Sequence, residues 1–183
     1  MMETINILAI PGSLREASLT KQLLRSLQAV APADVQISIF DLKDVPVYNQ
    51  DVENNDGFPP AVQEMRRQIE AADALIFATP EYNGAMSGVL KNAIDWASRG
   101  GILAGKPVAP ISGSPGALGA TKAQESLRAV LNHLGMHVMS RPAVAIPQMN
   151  EKLANNTITD EMTRKFVTDW LGTFRNWIVQ LNK

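Results

Sequence analysis

The chain has 183 residues, 45% apolar and 19% charged, which suits one domain of ordinary size and is too short for two with a linker. Lys and Arg number 17 against 18 Asp and Glu, for a net charge of -1; nothing here points to a nucleic-acid partner or to a strongly acidic carrier that docks by charge. Cysteine is absent, which removes disulfides, thiolate nucleophiles, zinc–thiolate sites and iron–sulfur ligation, so any redox chemistry must ride on a bound cofactor.

The N-terminus, Met1-Met2-Glu3-Thr4, enters an apolar run without the basic flank and cleavage site of a signal peptide. The apolar runs Ile7 to Ile10 and Ala74 to Ala78 fall far short of the roughly 20 residues of a membrane span. The expectation is a cytoplasmic protein with no membrane partner. Ile5 to Ile10 predicts a buried strand ended by Pro11-Gly12, followed from about Arg15 to Val30 by a helix with Leu19, Leu23, Leu27 and Val30 on one face. Val35 to Phe40 alternates like an edge strand, and Asp41 to Gly57, rich in Asp, Asn and Pro, predicts a long loop. A helix over Ala61 to Ala72, with Val62, Met65 and Ile69 inward, precedes the buried strand Ala74 to Ala78.

The alternation then repeats. Loop Thr79 to Ser87 leads to a helix over Val89 to Ala97, with Leu90, Ala93, Ile94 and Ala97 inward, and to a strand over Lys106 to Ser112. A helix over Pro115 to Leu134 buries Leu127, Val130, Leu131 and Leu134, and Met136 to Met139 forms a short strand. The last helix, from about Asp160 to Leu181, buries Phe166, Trp170, Phe174, Trp177 and Ile178. Such alternation predicts a parallel sheet with helices on both faces. The flavodoxin-like order 2-1-3-4-5, strands numbered along the chain, fits, with residues 1–183 as one domain and a ligand crevice at the C-terminal strand ends.

Three loops then share one rim: Pro11 to Ser18, Thr79 to Gly88 and Ser112 to Gly119, all crowded with Gly, Ser and Pro. In the first, Ser13, Arg15 and Ser18 beside a helix N-terminus suit a dianionic monophosphate; ordinary capping by Ser18 and a solvated Arg15 are the structural alternatives. The spacing is neither G-x-G-x-x-G nor G-x-x-x-x-G-K-[ST], which disfavours a dinucleotide Rossmann site and a P-loop. The second loop puts Tyr82 and Asn83 at the end of a buried strand, where an aromatic ligand with polar edges can pack. Lys91 and Asp95 read as a helix-face ion pair, Trp96 as core, and His133 and His137 as structural, without metal-ligand company. A serine hydrolase is disfavoured because Ser87 and Ser114 lack the first Gly of G-x-S-x-G.

The first two loops resemble the NADPH-dependent FMN reductase family, a flavodoxin-like group that includes chromate, quinone and azo-dye reductases. Its G-S-L-R-x-x-S-x-N is present as Gly12 to Thr20, its P-E-Y-N-x-S-x-P-G-x-L-K-N-A-[IL]-D-W as Pro80 to Trp96, and its S-x-S-x-G-x-x-G as Ser112 to Gly119. Thr20, Ala85 and Ser87 stand where the family has Asn, Ser and Pro. The resemblance implies a bound FMN, its phosphate on Ser13, Arg15, Ser18 and Thr20. It places the flavin ring on Pro80, Glu81, Tyr82, Asn83 and Gly84, bordered by Ser112, Gly113 and Ser114. Backbone amides from Ser112 to Gly116, at the start of a helix, would then stabilise charge on the reduced ring.

It further implies NADPH or NADH as co-substrate and a small-molecule acceptor (a quinone, a metal oxyanion such as chromate, or an azo or nitro compound). One crevice in so short a chain does not hold FMN, nicotinamide and acceptor stacked together, which predicts ping-pong kinetics, and hydride transfer through a flavin calls for no metal. A homodimer or a dimer of dimers (a homotetramer) is expected, with Met86, Trp96 and the Asp41 to Gly57 loop near the rim a neighbour would complete. The alternative is a non-enzymatic flavin carrier or sensor.

Overall fold

A computed structural model describes residues 4–181; Met1 to Glu3, on which the reading of the N-terminus leans, lie outside the described residues. Strand β1 (Ile5–Pro11) runs into α1 (Leu19–Ala29) and β2 (Val35–Ile39). After a 3-10 turn at Leu42–Asp44 come α2 (Gln50–Asp56), α3 (Pro60–Ala71) and β3 (Ala74–Thr79). A hairpin of β4 (Glu81–Tyr82) and β5 (Ala85–Met86) leads into α4 (Gly88–Ser98), β6 (Pro107–Gly113) and α5 (Thr121–His133). The remainder is β7 (His137–Val138), β8 (Val144–Ile146), α6 (Met149–Lys152), the hairpin β9 (Leu153–Ala154) and β10 (Thr157–Ile158), and α7 (Glu161–Leu181).

The main sheet is parallel, in the order β2-β1-β3-β6, and β7 and β8 both pair with β6. This is the expected flavodoxin-like order with one refinement. The fifth strand is two pieces in line: His137 lies opposite Pro107 at the start of β6, and Ala145 lies opposite Ser112 near its end. The register aligns Pro11 with Ala78 and Thr79 with Ser112, so β1, β3 and β6 end at one level and their loops open on one rim.

Two apolar layers sandwich the sheet. Leu23, Leu24 and Leu27 of α1 pack on one face with Val167, Trp170, Leu171, Phe174 and Ile178 of α7. Val62, Met65 and Ile69 of α3, Leu90 and Ile94 of α4, and Leu127 and Leu131 of α5 pack on the other. Each such side chain contributes about 1.5–3 kcal/mol by leaving water. Val130 and Leu134, expected inward on α5, are half-buried. Phe166 is 41% exposed, against expectation, because the inward stripe of α7 follows Val167, Trp170, Leu171 and Phe174 at helical spacing and leaves Phe166 at its border.

Other expectations need correction. Residues 41–57 are no long loop. Asp41 caps the 3-10 turn, Asn49 caps α2, and the segment is strapped onto α4, where Trp96 Nε1 and Asn92 Nδ2 both donate to Pro46 O at 2.9 and 2.8 Å. Trp96 is fully buried with Tyr48 and Phe58 edge-on against it, so it is core and no part of a rim surface. Helix α1 starts at Leu19 and not near Arg15, since Ser18 takes the capping position. Helix α5 starts at Thr121 and not at Pro115. Gly119 (φ +60) and Ala120 (φ +63) are left-handed, and a Cβ on Gly119 would sit 2.8 Å from the Ala145 and Ile146 backbone, so the chain crosses against β8 before the helix can begin. No helix among the described residues is long and apolar enough to cross a membrane.

Candidate active site

A cleft of about 110 Å³ opens where the strand ends predict one, lined by Ser13, Arg15, Ser18, Leu19 and Thr20 from the first loop. Pro80, Glu81 and Tyr82 form a second wall, and Gly113, Ser114 and Pro115 a third. Nine of the twelve residues singled out in the sequence therefore meet here. Gly12 sets the geometry of the first wall: its N–H donates to Ala78 O at 2.7 Å and its carbonyl accepts from Ser87 Oγ at 2.6 Å.

The hydroxyl groups of Ser18 and Thr20, both buried, lie 2.9 Å apart, and Ser18 Oγ also accepts from Lys21 N at 3.3 Å. Ser18 is thus the α1 cap and a cleft residue at once. The first amides of a helix have no intrahelical acceptor, and Leu19 and Thr20 carry two of them at the cleft wall. Ser13 and the exposed Arg15 have no side-chain partner among the described residues. Free donors, a permanent cation and the positive end of a helix converge on one side of the cleft, a set suited to a phosphate dianion.

Beneath this wall Lys21, nearly buried, reaches Asp41 at 2.8 Å. Burial alone would raise the Asp41 carboxyl, but the Lys21 ammonium and the Lys43 amide outweigh it and hold it below the usual range. Lys91 Nζ meets Asp95 Oδ1 at 2.6 Å on the α4 surface, the expected helix-face pair. His133 and His137 are exposed, on α5 and β7 and outside the cleft lining.

Three of the singled-out residues do not line the cleft. Asn83 (φ +53) and Gly84 (φ +73) form the turn of the β4–β5 hairpin, a left-handed pair of the type I′ kind. The Asn-Gly dipeptide between short strands was the available signal for that hairpin. Ser112 is fully buried, its hydroxyl donating to Gly119 O at 2.8 Å and accepting from Gln124 Nε2 at 3.2 Å. The expected helix start over Ser112 to Gly116 is absent, because α5 begins later; the Ser114 amide instead donates to Ile146 O at 3.1 Å. Leu19 and Pro115 line the cleft and were not singled out. The capping role of Ser87, which accepts from Leu90 N at 3.3 Å, was also missed, although serine just before a helical run is its ordinary signal.

Residues 5–151 match the NADPH-dependent FMN reductase family. The chain belongs to this family. It is therefore an oxidoreductase that uses FMN with a nicotinamide co-substrate. It is similar to a NAD(P)H-dependent FMN reductase of Pseudomonas aeruginosa, at 41% identity over 99% of each chain. It is also similar to a quinone reductase of Escherichia coli K12, at 36% identity over 97% of each. Among solved structures, the flavoenzyme NAD(P)H:(acceptor) oxidoreductase FerB of Paracoccus denitrificans superposes with a TM-score of 0.89 at 37% identity, over 97% of this chain and 98% of that one.

Proposed function

We propose that this FMN reductase family member passes electrons from NAD(P)H to quinones and related small acceptors through one FMN held in the cleft. The single observation that carries the reading is the junction of two unpartnered donors, Ser13 and Arg15, with the α1 N-terminus. Ser13, Arg15, Ser18 and Thr20 hold the phosphate. Pro80, Glu81 and Tyr82 line the ring, and Gly113 and Ser114 border it from the other side. When bound, FMN supplies the two-electron chemistry, taking hydride from the nicotinamide and passing electrons to an acceptor.

The chain binds, orients and leaves one side open. Pockets that enclose a whole small-molecule ligand run to about 300–1,000 Å³, so a cleft of about 110 Å³ covers part of the flavin only. The uncovered part serves the nicotinamide first and the acceptor second. That sharing gives ping-pong kinetics, with parallel double-reciprocal lines when both substrates vary. Chromate, azo and nitro compounds belong to the same open-site acceptor class. Leu14 and Tyr82, 47% and 50% exposed beside the cleft, favour a second copy of the chain completing the site, as a homodimer or dimer of dimers.

Steady-state kinetics on the FMN-loaded protein with NADPH, NADH and a benzoquinone test the reading. Parallel lines are expected, and intersecting lines, or turnover that persists without flavin, overturn it. Light scattering tests the assembly: a species of only 19.9 kDa at micromolar concentration removes the second copy.

A further inference from the structure

Glu81 lies in the cleft wall, yet its carboxylate is engaged elsewhere. Its Oε2 accepts the backbone N–H of Ala123 at 3.2 Å. Ala123 is the third residue of α5, and α5 lacks a cap of its own: Ala120, at its N-terminal boundary, is left-handed and offers no side-chain acceptor. The first amides of any helix need outside acceptors, and the dipole favours an anion there. Glu81 meets both needs from a different element.

The consequence is geometric. Helix α5 follows directly from the third loop, whose residues Gly113, Ser114 and Pro115 face the cleft across from Pro80, Glu81 and Tyr82. The same hairpin is tied to α5 a second time, through Met86 N donating to Ser126 Oγ at 2.9 Å. The far end of the loop is held by Ser112 Oγ donating to Gly119 O.

Resting on the proposed FMN site, we propose that Glu81 is a positioning residue whose carboxylate caps α5 and so fixes the separation of the two walls between which the flavin lies. The side chain acts through α5, with no contact to flavin or substrate required. Charge is then secondary to the presence of an acceptor oxygen. Glutamine, which keeps a carbonyl at the same reach, substitutes; alanine does not.

The test compares wild type, E81Q and E81A by FMN titration, monitored by flavin fluorescence, and by hydrogen exchange of the Ala123 amide in flavin-free protein. The expected result is an FMN Kd raised about tenfold in E81A and less than about threefold in E81Q. Exchange at Ala123 accelerates in E81A and is largely restored in E81Q. Equal losses in E81Q and E81A overturn the proposal, because they assign the effect to charge on the ligand. Unchanged Kd and unchanged Ala123 exchange in E81A overturn it as well. A wild-type chain that binds no FMN overturns the functional reading itself, a result distinct from intact binding in E81A.

Discussion

Ser87 Oγ donates to the Gly12 carbonyl at 2.6 Å and accepts from Leu90 N at 3.3 Å, so one buried hydroxyl both caps α4 and pins the start of the first cleft loop. Loss of a serine cap costs about 0.5–2 kcal/mol, and an orphaned buried carbonyl about 1–3 kcal/mol. S87A is therefore expected to lower stability by about 1–3 kcal/mol in denaturant unfolding and to weaken FMN binding. The family's proline at this position suits the backbone, since Ser87 has φ −63. S87P also loses the hydroxyl but recovers about 0.4–1 kcal/mol from a less flexible unfolded chain, and should fall between wild type and S87A.

The same pair explains why residue 12 is glycine. A Cβ there would lie 2.8 Å from Ser87 Oγ, 3.1 Å from Leu90 Cβ and 3.3 Å from Ala78 O. G12A is expected to cost about 1–3 kcal/mol by overpacking. Removing the nearest clashing atom relieves part of this, so the G12A/S87A double variant should lose less stability than the two single losses added together. Strict additivity in the four-variant cycle would show that the two residues do not share this space.

The position of the cleft was legible in the sequence because the parallel register is dictated by apolar patterning. Runs such as Ala74 to Thr79, buried at every position, have one place in such a sheet, and their loops follow. The resemblance of Gly12 to Thr20 and Pro80 to Trp96 supplied the identity of the ligand, which periodicity alone does not reach. What stayed hidden depended on pairs distant in sequence. The strap over α4 rests on Trp96 and Asn92 meeting Pro46, and the α5 cap on Glu81 meeting Ala123, 42 residues apart. The late start of α5 follows from the backbone of β8 lying against Gly119, a contact no local propensity encodes.

Acid sensitivity should be confined to low pH. The carboxyls of Glu53, Asp34 and Asp41 all lie below their ordinary values. The Tyr48 hydroxyl, then Arg99, lowers Glu53 against an opposing burial effect; the Arg175 guanidinium lowers Asp34; at Asp41, burial is overcome by Lys21 and Lys43. The folded state thus holds fewer protons than the unfolded chain below the ordinary carboxyl values of 3.8 and 4.5. The stability these groups contribute is complete above those values and is lost as pH falls through the lower folded ones. Their contribution should be full and constant in thermal unfolding between pH 7 and about 5.5, with Tm then falling below about pH 4.5. E53Q should flatten part of that fall.

Arg15 should matter to the ligand and not to the fold. It is exposed and has no partner among the described residues, so R15A is expected to leave the melting temperature of flavin-free protein within about 1–2 °C of wild type. Its effect on FMN should be on the order of 1.5–3 kcal/mol, the range of a charged hydrogen bond. R15K, which keeps the charge but not the two-pronged geometry, should lie between.

The proposed phosphate site is tested most directly by titrating flavin-free protein with FMN and with riboflavin, which lacks the phosphate, in wild type and R15A. Wild type is expected to bind FMN at least about a hundredfold more tightly than riboflavin, and R15A should close most of that gap by weakening FMN alone. Equal affinity for the two flavins in wild type, or binding of neither, would contradict the assignment of Ser13, Arg15, Ser18 and Thr20 as the phosphate site.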